Sequence, residues 1–292
     1  MEAIRNISFR EYLKSHQRIL HCGATGTELM KMGGVTPGPL NNLLHPDYVY
    51  EVQESFVRSG AMICTSNTWS MNPIFAGVHC KGYDWQEINR IGVEIALKAS
   101  RGRSYVLGNV GPIGEMLEPY GSLTEAAAYD ALRQQIELLA KYGVEGFSLQ
   151  TFFQLKEMKL AVKAVHDVCD LPIVALMVFN ATGATLMGET PEQCYDELMP
   201  LGIDVFGHNC GEIDCFTLGD LFEPLAKRAE IPLAACTNGG KPKTAGGKPV
   251  YDLSVEDFKK GNQYLLEKGF SVVGGCCGID EEHITALRDL IY

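Results

Sequence analysis

Two adjacent cysteines near the C-terminus are the residues of this sequence best suited to chemistry. Cys276 and Cys277 lie in the segment 274–278, directly after the apolar run 270–273. Thiolates are ligands that zinc favours, and glycines leave room for a metal and a substrate beside the backbone. The pair alone is equally compatible with buried structural thiols, since free cysteines are often buried. A third cysteine in a similar setting, Cys210, favours a metal site.

Short apolar runs are predicted to form the strands that position these cysteines. The eight predicted strands are 19–22, 61–65, 105–108, 146–150, 173–178, 205–209, 233–236 and 271–274. They are mostly apolar throughout, which is typical of strands buried on both faces of a parallel sheet. Amphipathic stretches such as 126–142 and 155–168 lie between them. The sequence therefore predicts an α/β fold with a single domain, a (β/α)8 TIM-type barrel over residues 18–292, preceded by a lead-in helix over residues 1–17.

Glycine and proline positions agree with this alternation. Four glycines each follow a predicted helix and precede a predicted strand: Gly60, Gly143, Gly202 and Gly269. Thr190 before Pro191 indicates a helix N-cap followed by a first-turn proline. A doubly wound open sheet is the alternative, but no Gly-x-Gly-x-x-Gly motif follows a predicted strand. The longest irregular segment, 237–251, is predicted to be an active-site loop.

The active site of a (β/α)8 barrel lies at the C-terminal ends of its strands, where the unusual residues of this sequence occur. Candidate substrate contacts follow the predicted strands: Cys22, Gly23, Ala24, Thr25, Gly26, Thr27, Asn67, Asn109, Gln150 and Asn209. Cys210 is expected to converge with Cys276 and Cys277, because the sixth and eighth strands lie close together. Three protein ligands leave the fourth zinc position open, as in catalytic sites. The turn 23–27 is predicted to bind a carboxylate or another anion through its backbone N–H groups.

Each of these residues also has a structural interpretation. The turn could be only a tight connection, and Asn67 and Asn109 could cap the segments that follow them. His208 is expected to point away from the site, because successive side chains of a strand alternate between its two faces. The six remaining cysteines are expected to be structural thiols: Cys64, Cys80, Cys169, Cys194, Cys215 and Cys236.

Composition excludes several classes of function. The formal net charge of −11 argues against nucleic acid as a partner, because binding phosphates requires basic patches. No stretch approaches the roughly 18 uninterrupted apolar residues of a membrane span, and the N-terminal residues do not resemble a signal peptide. Ten irregularly spaced cysteines do not suggest a disulfide framework. We therefore expect a cytoplasmic protein without a membrane or nucleic-acid partner.

Several motifs together resemble the homocysteine S-methyltransferase family, which includes the homocysteine-binding module of cobalamin-dependent methionine synthase and the betaine-dependent enzyme. The motifs are Gly-Ala-Thr-Gly-Thr-Glu at 23–28, Ser-Asn-Thr at 66–68, Gly-Pro-x-Gly-Glu at 111–115, Thr-Phe at 151–152, Asn-Cys at 209–210 and Gly-Gly-Cys-Cys-Gly at 274–278. The resemblance covers roughly residues 18 to 291. It implies a (β/α)8 barrel with Zn2+ held by Cys210, Cys276 and Cys277, and a substrate sulfur at the fourth position. Asn238 matches the side chain that fills this position when substrate is absent.

The sequence departs from the family pattern at three positions around this cleft. Cys22 and Gln150 stand where the family has an aspartate and a glutamate that hold the ammonium of homocysteine, and Asn109 replaces a third acid. A buried ammonium without a paired carboxylate costs several kcal/mol. We therefore expect a thiol or methylated substrate other than homocysteine.

The resemblance implies a zinc-dependent methyltransferase (EC 2.1.1 type) and leaves several functions open. The first moves a methyl group between methylcobalamin, or a separate corrinoid protein, and a small molecule, in either direction. The second is a homocysteine methyltransferase with a small donor, in which Gln150 accepts a hydrogen bond from the ammonium through its carbonyl. The third is a zinc-binding barrel without catalysis. Cys22 could also act as a fourth thiolate, which would close the zinc site.

Overall fold

Eight parallel strands form the barrel in the computed structural model, which describes residues 7–245 and 248–292. The barrel strands are β1 (Ile19–Leu20), β2 (Ile63–Thr65), β3 (Tyr105–Val110), β4 (Gly146–Phe152), β5 (Ile173–Met177), β6 (Val205–Asn209), β7 (Leu233–Thr237) and β10 (Val272–Gly275), and a separate pair comprises β8 (Lys243–Ala245) and β9 (Lys248–Val250). Neighbours follow the order β1-β10-β7-β6-β5-β4-β3-β2. The ends of this order meet where His21 bridges to Ile63. The predicted TIM-type barrel is confirmed.

Helices alternate with these strands around the barrel. They are α1 (Phe9–Ser15), α2 (Thr25–Lys31), α3 (Asn41–Leu44), α4 (Pro46–Arg58), α5 (Pro73–His79), α6 (Trp85–Ser100), α7 (Glu125–Lys141), α8 (Leu155–Val168), α9 (Pro191–Leu198), α10 (Cys215–Ala226), α11 (Val255–Glu267) and α12 (Glu281–Ile291), with short 3-10 turns at Gly38–Leu40 and Met199–Leu201. Helix α9 begins as predicted, because Thr190 and Gln193 form a reciprocal capping box before Pro191. Within the described residues, none of these helices is both long and apolar enough to span a bilayer.

Two apolar layers explain why the strands are hydrophobic on both faces. The inner layer fills the barrel with side chains such as Ile19, Leu107 and Val174. Helix α1 contributes Phe9 and Tyr12 to this layer, so it closes the end of the barrel opposite the site. The outer layer packs the other strand face against the surrounding helices. The predicted lead-in helix over residues 1–17 therefore corresponds to α1, and residues 1–6 lie outside the described part.

The segment 237–251 differs from the sequence expectation. It was predicted to be irregular, but β8 and β9 pair antiparallel within it, with Lys243 opposite Val250. The sequence between these strands is Gly246-Gly247, a dipeptide typical of two-residue hairpin turns, although these two residues lie outside the described part. The polar composition obscured this signal, because lysine and proline are uncommon in strand interiors.

Candidate metal centre and substrate cavity

Three thiols converge at the C-terminal mouth of the barrel. Cys210 follows β6, and Cys276 and Cys277 follow β10. Their sulfur atoms all lie within 4.8 Å of one another, and the Cys210 and Cys277 sulfurs are 3.9 Å apart. The backbone holds both segments on β7, because Cys210 N donates to the Cys236 carbonyl at 3.0 Å and Cys276 N donates to the Thr237 carbonyl at 2.8 Å. The three cysteines therefore converge as the sequence predicts.

The spacing of these sulfurs fits a tetrahedral zinc ion. A zinc–sulfur bond of about 2.3 Å with tetrahedral angles places two sulfur ligands about 3.8 Å apart, close to the 3.9 Å between Cys210 and Cys277. Cys210 has a φ of 64°, in the left-handed region that most side chains avoid. This uncommon backbone conformation lies directly at the cysteine cluster, as strained residues often do at functional sites.

His208 fixes the backbone around Cys210. Its Nδ1 atom accepts a hydrogen bond from Phe179 N at 3.2 Å, and its Nε2 atom lies 2.9 Å from the Cys210 carbonyl oxygen. These contacts require a neutral ring with the proton on Nε2. Burial lowers the pKa of His208 to about 4, which keeps the ring neutral. His208 thus packs away from the cavity, as the alternation of side chains predicts, and still positions a cluster residue.

Asn209 connects the cluster to β4. Its Oδ1 atom accepts from Thr151 N at 2.7 Å, and its Nδ2 atom donates to Thr151 Oγ1 at 2.9 Å. The same Nδ2 atom lies 3.7 Å from the Cys276 sulfur. Because the amide is held at both ends, its N–H group is aimed at the sulfur. Asn209 therefore orients the Cys276 side chain.

The three thiols share protons unequally. Hydrogen bonds from Cys210 and Cys276 lower the pKa of Cys277, so this residue carries the first negative charge. The pKa of Cys276 is raised because it hydrogen-bonds to Cys210 and Cys277 and is buried. For Cys210, a hydrogen bond from Cys276 lowers the pKa, but the Cys277 contact and burial outweigh this and raise it to about 11. Binding a dication to all three thiolates must therefore release protons.

Asn238 and Tyr251 flank the cluster. Asn238 Nδ2 donates to the Gly211 carbonyl at 2.5 Å, and its buried Oδ1 atom has no hydrogen-bond partner among the described residues. Tyr251 follows β9, and burial together with the negative charge of Cys277 raises the pKa of its hydroxyl. Its ring packs so closely on Gly278 that a Cβ atom there would lie 2.3 Å from it. The sequence indicated Asn238 but not Tyr251, since only the hairpin brings the tyrosine to the cluster.

A cavity of about 350 Å³ opens beside the three thiols. Apolar side chains form part of its wall, including Met30, Val35, Pro39 and Trp69. The described residues that line it include no Asp, Glu, Lys or Arg. A ligand in this cavity consequently meets polar but uncharged groups in addition to the thiols and one histidine, His21.

Most of the predicted substrate contacts line this cavity. They are Gly23, Ala24, Thr25, Gly26, Thr27, Asn67, Asn109, Gln150 and Asn209. The predicted turn 23–27 runs into the first turn of α2, which begins at Thr25. Thr27 Oγ1 also accepts from Gly278 N at 3.1 Å, which ties this segment to the cysteine loop. Asn67 has a structural role as well, because its Nδ2 atom donates to the Gly38 carbonyl at 3.1 Å.

Cys22 lies outside both the cavity wall and the cysteine cluster. Its buried sulfur is 3.8 Å from Thr65 Oγ1. A hydrogen bond from Cys64 lowers the pKa of Cys22, and the same contact raises the pKa of Cys64. The structure therefore does not place Cys22 as a fourth thiolate, because its side chain turns towards β2.

His21, Trp69 and Cys236 line the cavity although the sequence did not single them out as site residues. His21 is only 2% exposed. Burial disfavours its charged ring, but the thiols of Cys236 and Cys22 outweigh this and raise the pKa of His21. Strand alternation offered a signal, because His21 shares the inward face of the first strand with Ile19.

The fold and the site together define a parallel barrel whose mouth carries three thiols placed to bind one metal ion. The family described as Homocysteine S-methyltransferase matches residues 19–291, and the chain belongs to this family. Within this family assignment, the three thiols form a candidate zinc site.

The chain is similar in sequence to two methionine synthases and in fold to a solved homocysteine methyltransferase. The chain is 25% identical over 255 residues to methionine synthases of Mycobacterium tuberculosis and Mycobacterium leprae, covering 83% of this chain but only 21% of each relative. The chain thus spans about a fifth of the curated relatives that it matches. Its fold is similar to the homocysteine methyltransferase MmuM from Escherichia coli in the metallated form, with a TM-score of 0.80, 19% identity, and coverage of 96% of this chain and 99% of that one. The oxidized form of MmuM gives the same TM-score and identity, with coverage of 98% and 100%.

Proposed function

We propose that this protein transfers a methyl group between a corrinoid carrier of the methylcobalamin type and a small sulfur or methylated substrate that lacks an α-ammonium group. The observation that carries the proposal is the lining of the cavity beside Cys210, Cys276 and Cys277. Among the described residues, no carboxylate lines it. A substrate ammonium there would lose its hydration without gaining an ionic partner.

The size of this penalty supports the exclusion of homocysteine. A hydrogen bond to a charged group contributes about 1.5–3 kcal/mol. Losing two such partners weakens binding by roughly a hundredfold or more, at 1.4 kcal/mol per factor of ten. Gln150 and Asn109 line the cavity where carboxylates would be expected, and each offers only a neutral amide.

Three cysteines of the chain form the proposed metal site, and two neighbouring residues hold these cysteines in place. Cys210, Cys276 and Cys277 would hold Zn2+, and zinc bound there would lower the pKa of a substrate thiol. Asn209 orients Cys276, and His208 holds the backbone of Cys210. The apolar wall excludes water from the reacting sulfur, which favours its attack on a methyl group.

Two side chains are candidates to complete the metal site when substrate is absent. We propose Asn238 as the first, because its buried Oδ1 atom has no partner among the described residues. Tyr251 is the second, because its ring packs against Gly278, the residue that follows Cys277. Either group would be displaced by the substrate sulfur.

A methyl-transfer screen with zinc-loaded protein tests the proposal. Methylcobalamin is paired with homocysteine, 2-mercaptoethanol and 3-mercaptopropionate, and cob(I)alamin is paired with methyl thioethers, methyl ethers and methylamines. We expect transfer with a compound that lacks an α-ammonium, and loss of transfer in Cys277→Ser. Cys169→Ser is the matched control, since Cys169 is a half-buried thiol outside the cluster. Homocysteine as the best acceptor would overturn the proposed substrate class.

The second candidate function is methyl transfer to homocysteine from a small donor. The family assignment favours it, and Gln150 can accept a hydrogen bond from an ammonium through its side-chain oxygen. Micromolar affinity for homocysteine in a calorimetric titration of the zinc form would support this candidate over the first.

A further inference from the structure

Two residues that line the main cavity each carry a side-chain polar atom without a hydrogen-bond partner among the described residues. These atoms are Nε2 of His21 and Oδ1 of Asn109, and both atoms are buried. Buried polar groups in proteins are nearly always paired, and an unpaired group loses its hydration without compensation. A bound molecule with matching polar groups would supply the missing partners.

A hydrogen bond and a close backbone approach fix the position of His21. Its Nδ1 atom lies 3.0 Å from the Cys22 carbonyl oxygen, so Nδ1 carries a proton and Nε2 is left for another partner. The neighbouring strand has Gly274 beside it, where a Cβ atom would lie 2.7 Å from the His21 Cβ atom. The same Cβ atom would lie 2.6 Å from the His21 carbonyl oxygen, so a larger residue at position 274 would displace His21 as a whole.

Asn109 is held by its backbone rather than by its side chain. Its N–H group donates to Ser66 Oγ at 3.1 Å, and its carbonyl accepts from Thr68 Oγ1 at 2.8 Å. These two bonds fix the position of the residue at the end of β3. The side-chain oxygen is consequently free to contact a ligand.

The chemistry of the two atoms selects among possible ligand groups. Oδ1 of Asn109 only accepts hydrogen bonds, whereas Nε2 of His21 accepts in the neutral ring and donates in the charged ring. An ammonium can only donate and a carboxylate can only accept, whereas a hydroxyl or a carboxamide does both. No Asp, Glu, Lys or Arg among the described residues lines the cavity, and the one titratable ring there, His21, is buried and already faces the thiols of Cys236 and Cys22 that raise its pKa.

We infer that His21 and Asn109 determine substrate specificity by binding an uncharged hydroxyl or carboxamide at the end of the substrate remote from its sulfur. This inference deepens the proposed function, because it requires the sulfur to bind at the cysteine cluster. It assigns the substrate to the hydroxythiols or thiol amides and their S-methylated forms.

Calorimetric titration of the zinc-loaded protein with matched thiols tests the inference. The hydroxyl probes are 2-mercaptoethanol, 3-mercapto-1-propanol and 4-mercapto-1-butanol. Each is compared with the alkyl thiol in which a methyl group replaces the hydroxyl, and with cysteamine and 3-mercaptopropionate as charged probes. We expect at least one hydroxythiol to bind about tenfold more tightly than its alkyl counterpart, the effect of one or two neutral hydrogen bonds.

Two variants assign this preference to the proposed residues. Asn109→Leu removes the polar atoms at similar volume, and His21→Phe keeps an aromatic ring. Each is expected to reduce the preference for the hydroxyl several-fold while alkyl thiols bind as before. Met30→Leu changes an apolar part of the same wall and should leave the ratio unchanged. Circular dichroism and zinc content establish that each variant is folded and loaded.

The outcomes separate this inference from the proposed function. If thiols bind but hydroxyl and alkyl probes bind equally, or if both variants keep the preference, the inference is wrong and the proposed function stands. Tightest binding by cysteamine or 3-mercaptopropionate also overturns it. If none of the thiols binds to the zinc form, the proposed function fails, and the inference that rests on it fails too.

Discussion

Replacing Gln150 by glutamate should restore affinity for an α-amino thiol. Gln150 lines the cavity, and its Nε2 atom donates to Ser148 Oγ at 2.9 Å. The Ser148 hydroxyl can rotate and donate to a carboxylate instead, so Gln150→Glu keeps the local hydrogen bond. A carboxylate at this position would give the ammonium of homocysteine an ionic partner that the described wall of the cavity otherwise does not offer.

The expected gain follows from the difference between neutral and charged hydrogen bonds. A neutral bond contributes about 0.5–1.5 kcal/mol and a bond between charged groups about 1.5–3 kcal/mol. A difference of about 1.4 kcal/mol corresponds to a tenfold change in Kd. We therefore expect Gln150→Glu to bind homocysteine about tenfold more tightly than the unmodified protein does.

Calorimetry with a matched pair of ligands measures the contribution of the ammonium group to binding. Homocysteine and 4-mercaptobutyrate differ only by the amino group, so the new carboxylate should tighten the first and weaken the second. Gln86→Glu adds the same charge at an exposed position on α6 and serves as the control. Unchanged homocysteine affinity, or an equal change for both ligands, would refute the assignment of Gln150 to the ammonium position.

Three further predictions concern buried groups. Burial raises the pKa of Glu157 from 4.5 to about 7, so the native state loses stability as pH rises through this range. Above pH 7, Glu157→Gln should raise the free energy of unfolding by about 3 kcal/mol, since each pKa unit corresponds to 1.36 kcal/mol. Below pH 4.5 the substitution should change it by almost nothing. Denaturant unfolding at both pH values measures the difference. His208→Leu leaves the Phe179 N–H and the Cys210 carbonyl unpaired, with an expected loss of about 2–4 kcal/mol in unfolding free energy and weaker zinc binding. Zinc affinity should rise more than tenfold per pH unit between about pH 6 and 8. The pKa values of Cys210 and Cys276 are raised, and both thiols must deprotonate to bind the metal. A competition titration with a chelator measures this affinity.

Specific results would contradict these predictions. Equal stability of Glu157→Gln and the unmodified protein at pH 8 would mean that this carboxyl does not titrate in a buried site. Unaltered zinc affinity in His208→Leu would restrict His208 to packing. Zinc binding that does not depend on pH would show that the three thiols are already deprotonated before the metal binds.

The sequence predicts the barrel and the convergence of the three cysteines because both depend on residue type and order. Continuous apolar runs separated by amphipathic helices specify a parallel sheet, and residues after the strands then meet at one mouth. Cys210, Cys276 and Cys277 converge for this reason. No detail of side-chain packing was needed for that prediction.

The remaining features of the site depend on side-chain direction and on a loop. Cys22 follows the first strand, but its side chain turns towards Thr65 rather than into the cavity, whereas His21 lines the cavity. Tyr251 reaches Cys277 only because β8 and β9 form a hairpin in a segment of unfavourable strand composition. These are properties of packing, to which a linear pattern of residues is a weak guide.

X-ray absorption at the zinc edge tests the central claim most directly. The protein is loaded with one equivalent of zinc and measured alone and with saturating 2-mercaptoethanol. The cluster of Cys210, Cys276 and Cys277 predicts three sulfur ligands and one oxygen or nitrogen ligand without the thiol, and four sulfur ligands with it. Four sulfur ligands before the thiol is added, or no change on its addition, would contradict an open position for the substrate sulfur.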